Sequence, residues 1–446
     1  MHAARVTDYS VPVSELSGGL GTELNSGLNG GLIGGLIGGL NGGLNAGLDS
    51  GPSSGLEFVP PFSLDSLAAV DSRKRILMLS VSAGNGHVRA AEALVAHARA
   101  DFPAISVRHQ DVLELVPRWF SKIYRDVYMA LAHRLPDAWG WLYRATDAAA
   151  PGSLGIRIRK AIQTLCASRL LDEIRRYQPD MIICTHFLPA EILADARFKQ
   201  QITCPIWIQV TDFDLHPIWV QPGISGYFVA NDELAYRLYA QGVPSSRVVV
   251  TGIPLMPGFA MPPDRSSVSR QLGFDPQKTT LLMMNGGAGA GLQQSLVQSL
   301  LKQHPDLQLI VLTGRNTVLR ESLQSIEAFF PARLRALGFV DDVYRLMACA
   351  DLAITKPGGL STSECLAMGL PMLLVNPIPG QEERNAAWLI QEGAALRADD
   401  PATLQFRLQR LLSDRHKLEA MRTRARAIAK PFAAREVLQL VRALTR

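Results

Sequence analysis

The sequence predicts an α/β architecture of two doubly wound domains, and three observations point to it. Short apolar runs, such as Ile76 to Val81, Met181 to Thr185, Thr280 to Asn285 and Leu352 to Thr355, alternate with stretches of helical periodicity. Glycine-rich turns follow three of those runs, at 82–87, 286–291 and 356–359, at the strand ends where open α/β sheets place ligands. The length of 446 residues suits two domains plus an appendage, and an apolar fraction of 47% is ample for two cores.

Composition narrows the class. A net charge of +5 and an isoelectric point near 9.0 favour an anionic partner, and a nucleotide diphosphate, a membrane surface or nucleic acid would each qualify. The five cysteines (Cys166, Cys184, Cys204, Cys349 and Cys365) are scattered without CxxC or metal-ligand spacing. They read as core residues of a protein in a reducing cytoplasm, not as a disulfide scaffold.

Residues 1–60 are a different material from the rest. From Leu20 to Leu48 a leucine recurs at every fourth position among glycines and asparagines. Glycine costs about 1 kcal/mol against Ala in a helix, and asparagine is expensive in lipid, so this is read as a low-complexity tail and not as a membrane span. Nor is it a signal peptide, because Arg5 is followed by Asp8 and Glu15 and not by a compact apolar core. Residues 61–74, opening on Pro61, form a linker.

The first domain, 75–258, opens with a central strand, the loop Ser82-Ala83-Gly84-Asn85-Gly86-His87, and a helix from Val88 to Ala100. At the helix start the dipole favours a neutral His87, the form a general base requires. A second strand from Ile105 to Gln110 follows. The stretch from Pro117 to Lys160 then mixes Trp119, Phe120, Trp139 and Trp141 with Arg118, Lys122, Arg125 and Lys160, which suits a bilayer interface. A helical pair with buried aromatics competes with that reading, as does single-stranded nucleic acid, for which no recognisable module is present. Strand and helix alternate to Val250, and His186, Asp212 and His216 stand at strand ends, where a cleft would lie. Thr251 to Pro263 reads as the hinge.

The second domain, 264–430, carries the stretch around which the chain is organised. A strand from Leu352 to Thr355, a turn Lys356-Pro357-Gly358-Gly359 and a helix from Ser361 to Met368 together make an anion cradle. Glu364, about one helical turn in, suits ribose hydroxyls and would repel phosphate. After a strand from Pro371 to Val375, the polar turn from Pro379 to Asn385, with Gln381 and Glu382, suits the hydroxyls of a hexose. Gly286, Gly287 and Gly289 make a second phosphate cradle, so that two cradles fit a diphosphate. Leu404 to Ala429 reads as helical, and the segment 431–446 as a helix crossing back to the first domain.

These residues carry a family resemblance. KPGGLSTSECLAMGLP followed by PGQEERNA resembles the donor half of glycosyltransferase family 28, nearest to its processive diacylglycerol glucosyltransferase and monogalactosyldiacylglycerol synthase branch. The loop ending in His87 resembles the branch's SxxxGGGH segment, with Ala83 and Asn85 departing from its glycines. Asp212 to Trp219 resembles its TD-to-HPxW segment, which makes His186, Asp212 and His216 candidates to bind the acceptor or assist His87, and Arg315 and Val340 fall in its GRN and GFV segments, beside the nucleotide. The resemblance implies a GT-B fold of two Rossmann-like domains facing across a cleft. It implies an inverting glycosyltransferase that moves a hexose from a UDP-sugar to a lipid hydroxyl such as that of diacylglycerol, with no metal or further cofactor. Ser361 then joins the donor site, and the enzyme is expected on the inner face of the membrane, held peripherally to an anionic lipid surface. Two other readings stay open: a UDP-N-acetylglucosamine 2-epimerase, which shares fold and donor, and a non-catalytic UDP-sugar sensor. Glucose against galactose, and oligomeric state, stay open too.

Overall fold

The computed structural model describes residues 73–82, 84–115, 121, 167–198, 200–284 and 294–444. The tail, the linker up to residue 72, Cys166 and nearly all of the aromatic and basic segment lie outside the described residues.

Two six-stranded sheets, each wholly parallel, organise the chain. The first takes β1 (Lys74–Ser80), β2 (Ile105–Asp111), β3 (Met181–Cys184), β4 (Ile206–Gln209), β5 (Gly226–Val229) and β6 (Val248–Val250) in the order β2-β1-β3-β4-β5-β6. The second takes β7 (Thr280–Met284), β8 (Gln308–Leu312), β9 (Leu334–Leu337), β10 (Leu352–Thr355), β11 (Met372–Val375) and β12 (Ala395–Ala398) in the order β12-β11-β10-β7-β8-β9. Helices cover both faces, so β3, β4, β10 and β11 are buried along their whole length and read as continuous apolar runs.

The order in which successive strands are added reverses between β1 and β3 in the first sheet and between β7 and β10 in the second. At such switch points the loops at the carboxyl ends splay apart and leave a crevice. The loop from β1 into the Asn85–Asp101 helix and the turn from β10 into the Gly359–Ala367 helix open from these two points. Their register is fixed by the ladders Leu79↔Cys184 and Ile354↔Met283.

The halves share apolar packing: Ala90, Phe213 and Ala230 of the first join Leu282, Leu346 and Cys365 of the second in one buried cluster. The Ala433–Leu444 helix returns to the first half, where Ala434, Val437 and Leu438 pack with Ile76, Met78 and Leu94, and Arg435 pairs with Asp101 at 2.9 Å. The outgoing and returning connections meet at Gly252, whose φ of +93° excludes a side chain and whose Cβ would sit 2.4 Å from that of Lys430. The segment read as helical from Leu404 to Ala429 forms two helices, Pro401–Ser413 and Arg415–Ile428, because the Asp414 carboxylate accepts the Lys417 N–H and restarts the helix.

Candidate active site

His87 is the third residue of its helix and is tied across the switch point. Its Nδ1 lies 2.8 Å from the Thr185 carbonyl and 2.8 Å from Thr211 Oγ1, while Thr185 Oγ1 donates to the His87 carbonyl at 2.9 Å. A carbonyl can only accept, so Nδ1 carries the proton and Nε2 keeps its lone pair. The imidazole is held below the ordinary histidine range chiefly by burial, against the opposing charge of Asp212 and the Thr185 hydrogen bond. The neutral form expected from the sequence is therefore present, with desolvation as its main cause where the helix dipole was expected.

The other two histidines have different duties. His186 packs edge-on against His87 with ring centroids 4.6 Å apart, and its Nδ1 accepts the Leu188 N–H at 3.0 Å, capping the Phe187–Phe198 helix. Burial and the neighbouring His87 hold it well below the ordinary range, so it stays neutral. His216 Nδ1 accepts the Ile218 N–H at 3.1 Å and caps the short turn Pro217–Trp219. Both rings thus cap the element that follows them.

Asp212 is 4% exposed and accepts from Gln381, from Asn385 Nδ2 at 3.4 Å and from Trp219. Burial raises its carboxyl, opposed by these donors and by His87. Its hydrogen-bond partners thus come largely from the other half of the molecule.

On the donor side, Gly359 starts its helix against the acceptor half: a Cβ there would lie 2.0 Å from the Thr211 carbonyl oxygen. At Gly359 the close approach expected of the turn's glycines is made to backbone of the opposing loop. Gly358 has ordinary room, with Glu382 Oε1 3.6 Å from the point a Cβ would occupy. Ser361 is half-buried in the first turn of the same helix. Glu364 is 9% exposed and pushed up to about 8 by burial, with Arg89 opposing. Burial therefore favours the neutral carboxyl, which offers a donor as well as acceptors, over the acceptor-only carboxylate that the sequence suggested.

Glu382 Oε2 accepts the Ile378 N–H at 2.7 Å, and burial raises its carboxyl against the charge of Lys356. Val340 packs at the margin of the shared apolar cluster, and Arg315 is exposed in the turn after β8, before Asn316 caps the Thr317–Glu327 helix. Gly286, Gly287 and Gly289 lie outside the described residues.

Two functional contacts carried no sequence signal of their own. Arg89, one half-turn past His87, reaches across to the Asp341 carbonyl at 3.1 Å and supplies the charge felt by Glu364. Asn385 is fully buried: its Oδ1 accepts the Phe213 N–H at 2.9 Å, and its Nδ2 donates to Asp212 and to the Pro357 carbonyl at 3.2 Å. Beside it, Phe213 stacks on Trp388 at 4.5 Å and Arg384 pairs with Asp214 at 3.2 Å. The sequence placed Asn385 in the polar turn suited to a hexose but gave no sign of its partner 172 positions away, and Arg89, whose partner lies 252 positions away, read as an ordinary polar helix residue.

Comparison with known proteins gives consistent matches. Residues 87–255 match the monogalactosyldiacylglycerol (MGDG) synthase family, and residues 280–437 the glycosyltransferase family 28 C-terminal domain. The processive diacylglycerol beta-glucosyltransferase of Bacillus licheniformis is 31% identical over 364 residues, covering 80% of this chain and 92% of that one. The Bacillus subtilis protein of the same name is 30% identical, covering 79% and 91%. Among solved structures, MurG of Acinetobacter baumannii superposes with a TM-score of 0.55 at 19% identity over 83% of this chain and 99% of that one. The UDP-GlcNAc 2-epimerase from Neisseria meningitidis bound to UDP-GlcNAc does so at 0.53 and 13%, over 82% and 99%. These two share the fold.

Proposed function

The chain belongs to the diacylglycerol glycosyltransferase branch of glycosyltransferase family 28, and from that premise we propose that it transfers a hexose from a UDP-sugar to the free hydroxyl of diacylglycerol, with inversion at the anomeric carbon. The observation that carries this reading is the pinned tautomer of His87, which leaves Nε2 as a base at the switch-point crevice. Nε2 removes the acceptor proton as the hydroxyl oxygen attacks the anomeric carbon, and the bond from that carbon to the UDP oxygen breaks. Asp212, close enough for its charge to act on His87, stabilises the imidazolium that forms.

The departing UDP takes up negative charge, met by Lys356 and by the free N–H groups at the start of the Gly359–Ala367 helix. Glu364 holds the ribose, and Gln381 and Glu382 hold the hexose. Arg315, Val340, Ser361 and Gly286, Gly287 and Gly289 complete the nucleotide site. No helix among the described residues is long and apolar enough to cross a membrane. The aromatic and basic stretch from Trp119 to Lys160 is the proposed lipid contact, by apolar insertion and by attraction to anionic headgroups.

Radiolabelled UDP-glucose and UDP-galactose, offered separately with diacylglycerol vesicles, test the reading through the lipid product. A labelled monohexosyl or oligohexosyl diacylglycerol is expected. Free epimerised sugar formed without acceptor, or tight donor binding with no transfer to any lipid, would overturn it.

A further inference from the structure

The contacts of Asn385 are unusually restrictive for a residue of the polar turn and helix that follow β11. The Phe213 N–H can only donate, while the Pro357 carbonyl and the Asp212 carboxylate accept. The site therefore demands an acceptor on one side and donors on the other, in a space closed to water, which a carboxamide satisfies and a carboxylate of the same shape does not. Of its three partners, Phe213 and Asp212 belong to the acceptor half, next to His87, and Pro357 is in the donor turn itself. One side chain thus touches the acidic neighbour of the base and the turn assigned to the diphosphate.

We propose that Asn385 is a positioning residue for the transfer: reaching from the donor half, it sets the Asp212 carboxylate against His87 and fixes that pair relative to the donor turn. The proposal rests on His87 being the base. Gln381 reinforces the arrangement through its own bond to Asp212, so the helix Gln381–Gln391 carries both residues that hold this carboxylate from the donor side. The stack of Phe213 on Trp388 keeps the loop from sliding along that helix. A base displaced by about 1 Å loses on the order of 100-fold in rate, which is why such a clasp matters to turnover while leaving nucleotide binding to other groups.

The test is Asn385→Asp in the full chain, with three measurements: kcat, UDP affinity by calorimetry, and the titration of the His87 ring in the unliganded protein by NMR with labelled histidine. The other titratable or charged groups around the pair are His186 from the acceptor half, and Glu382 and Lys356 from the donor half. All of them are unchanged in the variant. The new carboxyl keeps an acceptor for Phe213 N–H but places a second acid beside Asp212. The His87 titration is expected to move up, toward the ordinary histidine range. kcat is expected to fall about 10- to 100-fold, with UDP affinity within about threefold of wild type.

A folded variant with an unmoved His87 titration and wild-type kcat would overturn the proposal, and so would a loss of UDP affinity as large as the loss of kcat. If Asn385→Asp does not fold, Asn385→Ser replaces it, since one hydroxyl can serve Phe213 or Asp212 but cannot bridge all three partners. A lowered kcat with intact UDP binding then supports the clasp, and an unchanged kcat refutes it. Absence of transfer by the wild-type protein would count against the proposed reaction alone, because the His87 titration reads the clasp without turnover.

Discussion

The two turns at the switch points are built alike and equipped differently. Each follows a buried parallel strand and opens a helix, the first into Asn85–Asp101 and the second into Gly359–Ala367. The first commits its side chain inward: His87 is bonded to Thr185 and Thr211, and burial keeps it neutral. The second leaves Lys356 beside Glu382 and holds Glu364 one turn deeper, with Arg89 of the opposite half facing it. The same backbone device can serve proton transfer or anion binding, and the side chains tied to its start decide which.

The largest effect should come from removing what makes the first turn distinct. His87→Ala is expected to lower turnover about 10²- to 10⁴-fold, with UDP-sugar affinity near wild type. His186→Ala and His216→Ala should cost less, through loosened helix and turn starts. Wild-type kcat should decline on the acid side, where the imidazole becomes protonated, at a pH below the ordinary histidine range, because burial disfavours the cation. Steady-state kinetics and binding calorimetry on the three variants check the ranking. A mild His87→Ala beside a crippling His186→Ala would transfer the role of base.

Breaking the second turn should act on binding. Glu364→Ala is expected to weaken UDP by about 1–3 kcal/mol, the scale of removing one partner of a buried hydrogen bond, with the chemical step little changed once donor is saturating. The group also gives the two turns opposite pH behaviour. Its carboxyl is pushed up to about 8 from an ordinary 4.5, so between those values the folded state binds more protons than the unfolded one. This contribution to stability is therefore present at low pH and is lost as pH rises toward 8. UDP affinity should tighten over the same range if ribose hydroxyls require the carboxylate, with proton release detectable by calorimetry in buffers of different ionisation enthalpy. Glu364→Gln should abolish that release. Equal release from the variant would detach the effect from this residue.

The strands, most helices and the two turns were legible in the sequence because each depends on local periodicity and on glycine placed after an apolar run. β10 and its turn, for instance, announce themselves within eight residues. The break at Asp414 was not legible, because an aspartate in a charged helical stretch gives no sign that it has become a cap. Glu364 was singled out in the sequence, but the burial that raises its carboxyl was not legible, since elements far along the chain supply it. The contacts of Arg89 and Asn385 were illegible for the same reason: their meaning lies in partners on the opposite half. The contact of Gly359 with the Thr211 carbonyl was illegible too, because that carbonyl lies far along the chain.

That glycine supplies the narrowest test, because it stands where the two turns touch. Gly359→Ala must accommodate a methyl group whose carbon would sit 2.0 Å from the Thr211 oxygen, well inside contact distance and against backbone, not against a mobile side chain. Gly358→Ala, one residue earlier, meets only Glu382 Oε1 at 3.6 Å, an ordinary contact, and its φ of −71° suits alanine. Overpacking at 359 is expected to cost about 1–3 kcal/mol, seen as a lower Tm, while the change at 358 should leave Tm nearly unaltered. Since Thr211 also bonds His87, the displaced loop should lower kcat in the 359 variant more than it weakens UDP. Equal Tm values for the two variants would mean that the acceptor loop does not rest on this helix start in solution. Equal Tm values joined to a larger loss of UDP affinity at 359 would assign Gly359 to the phosphate site that its sequence pattern suggested.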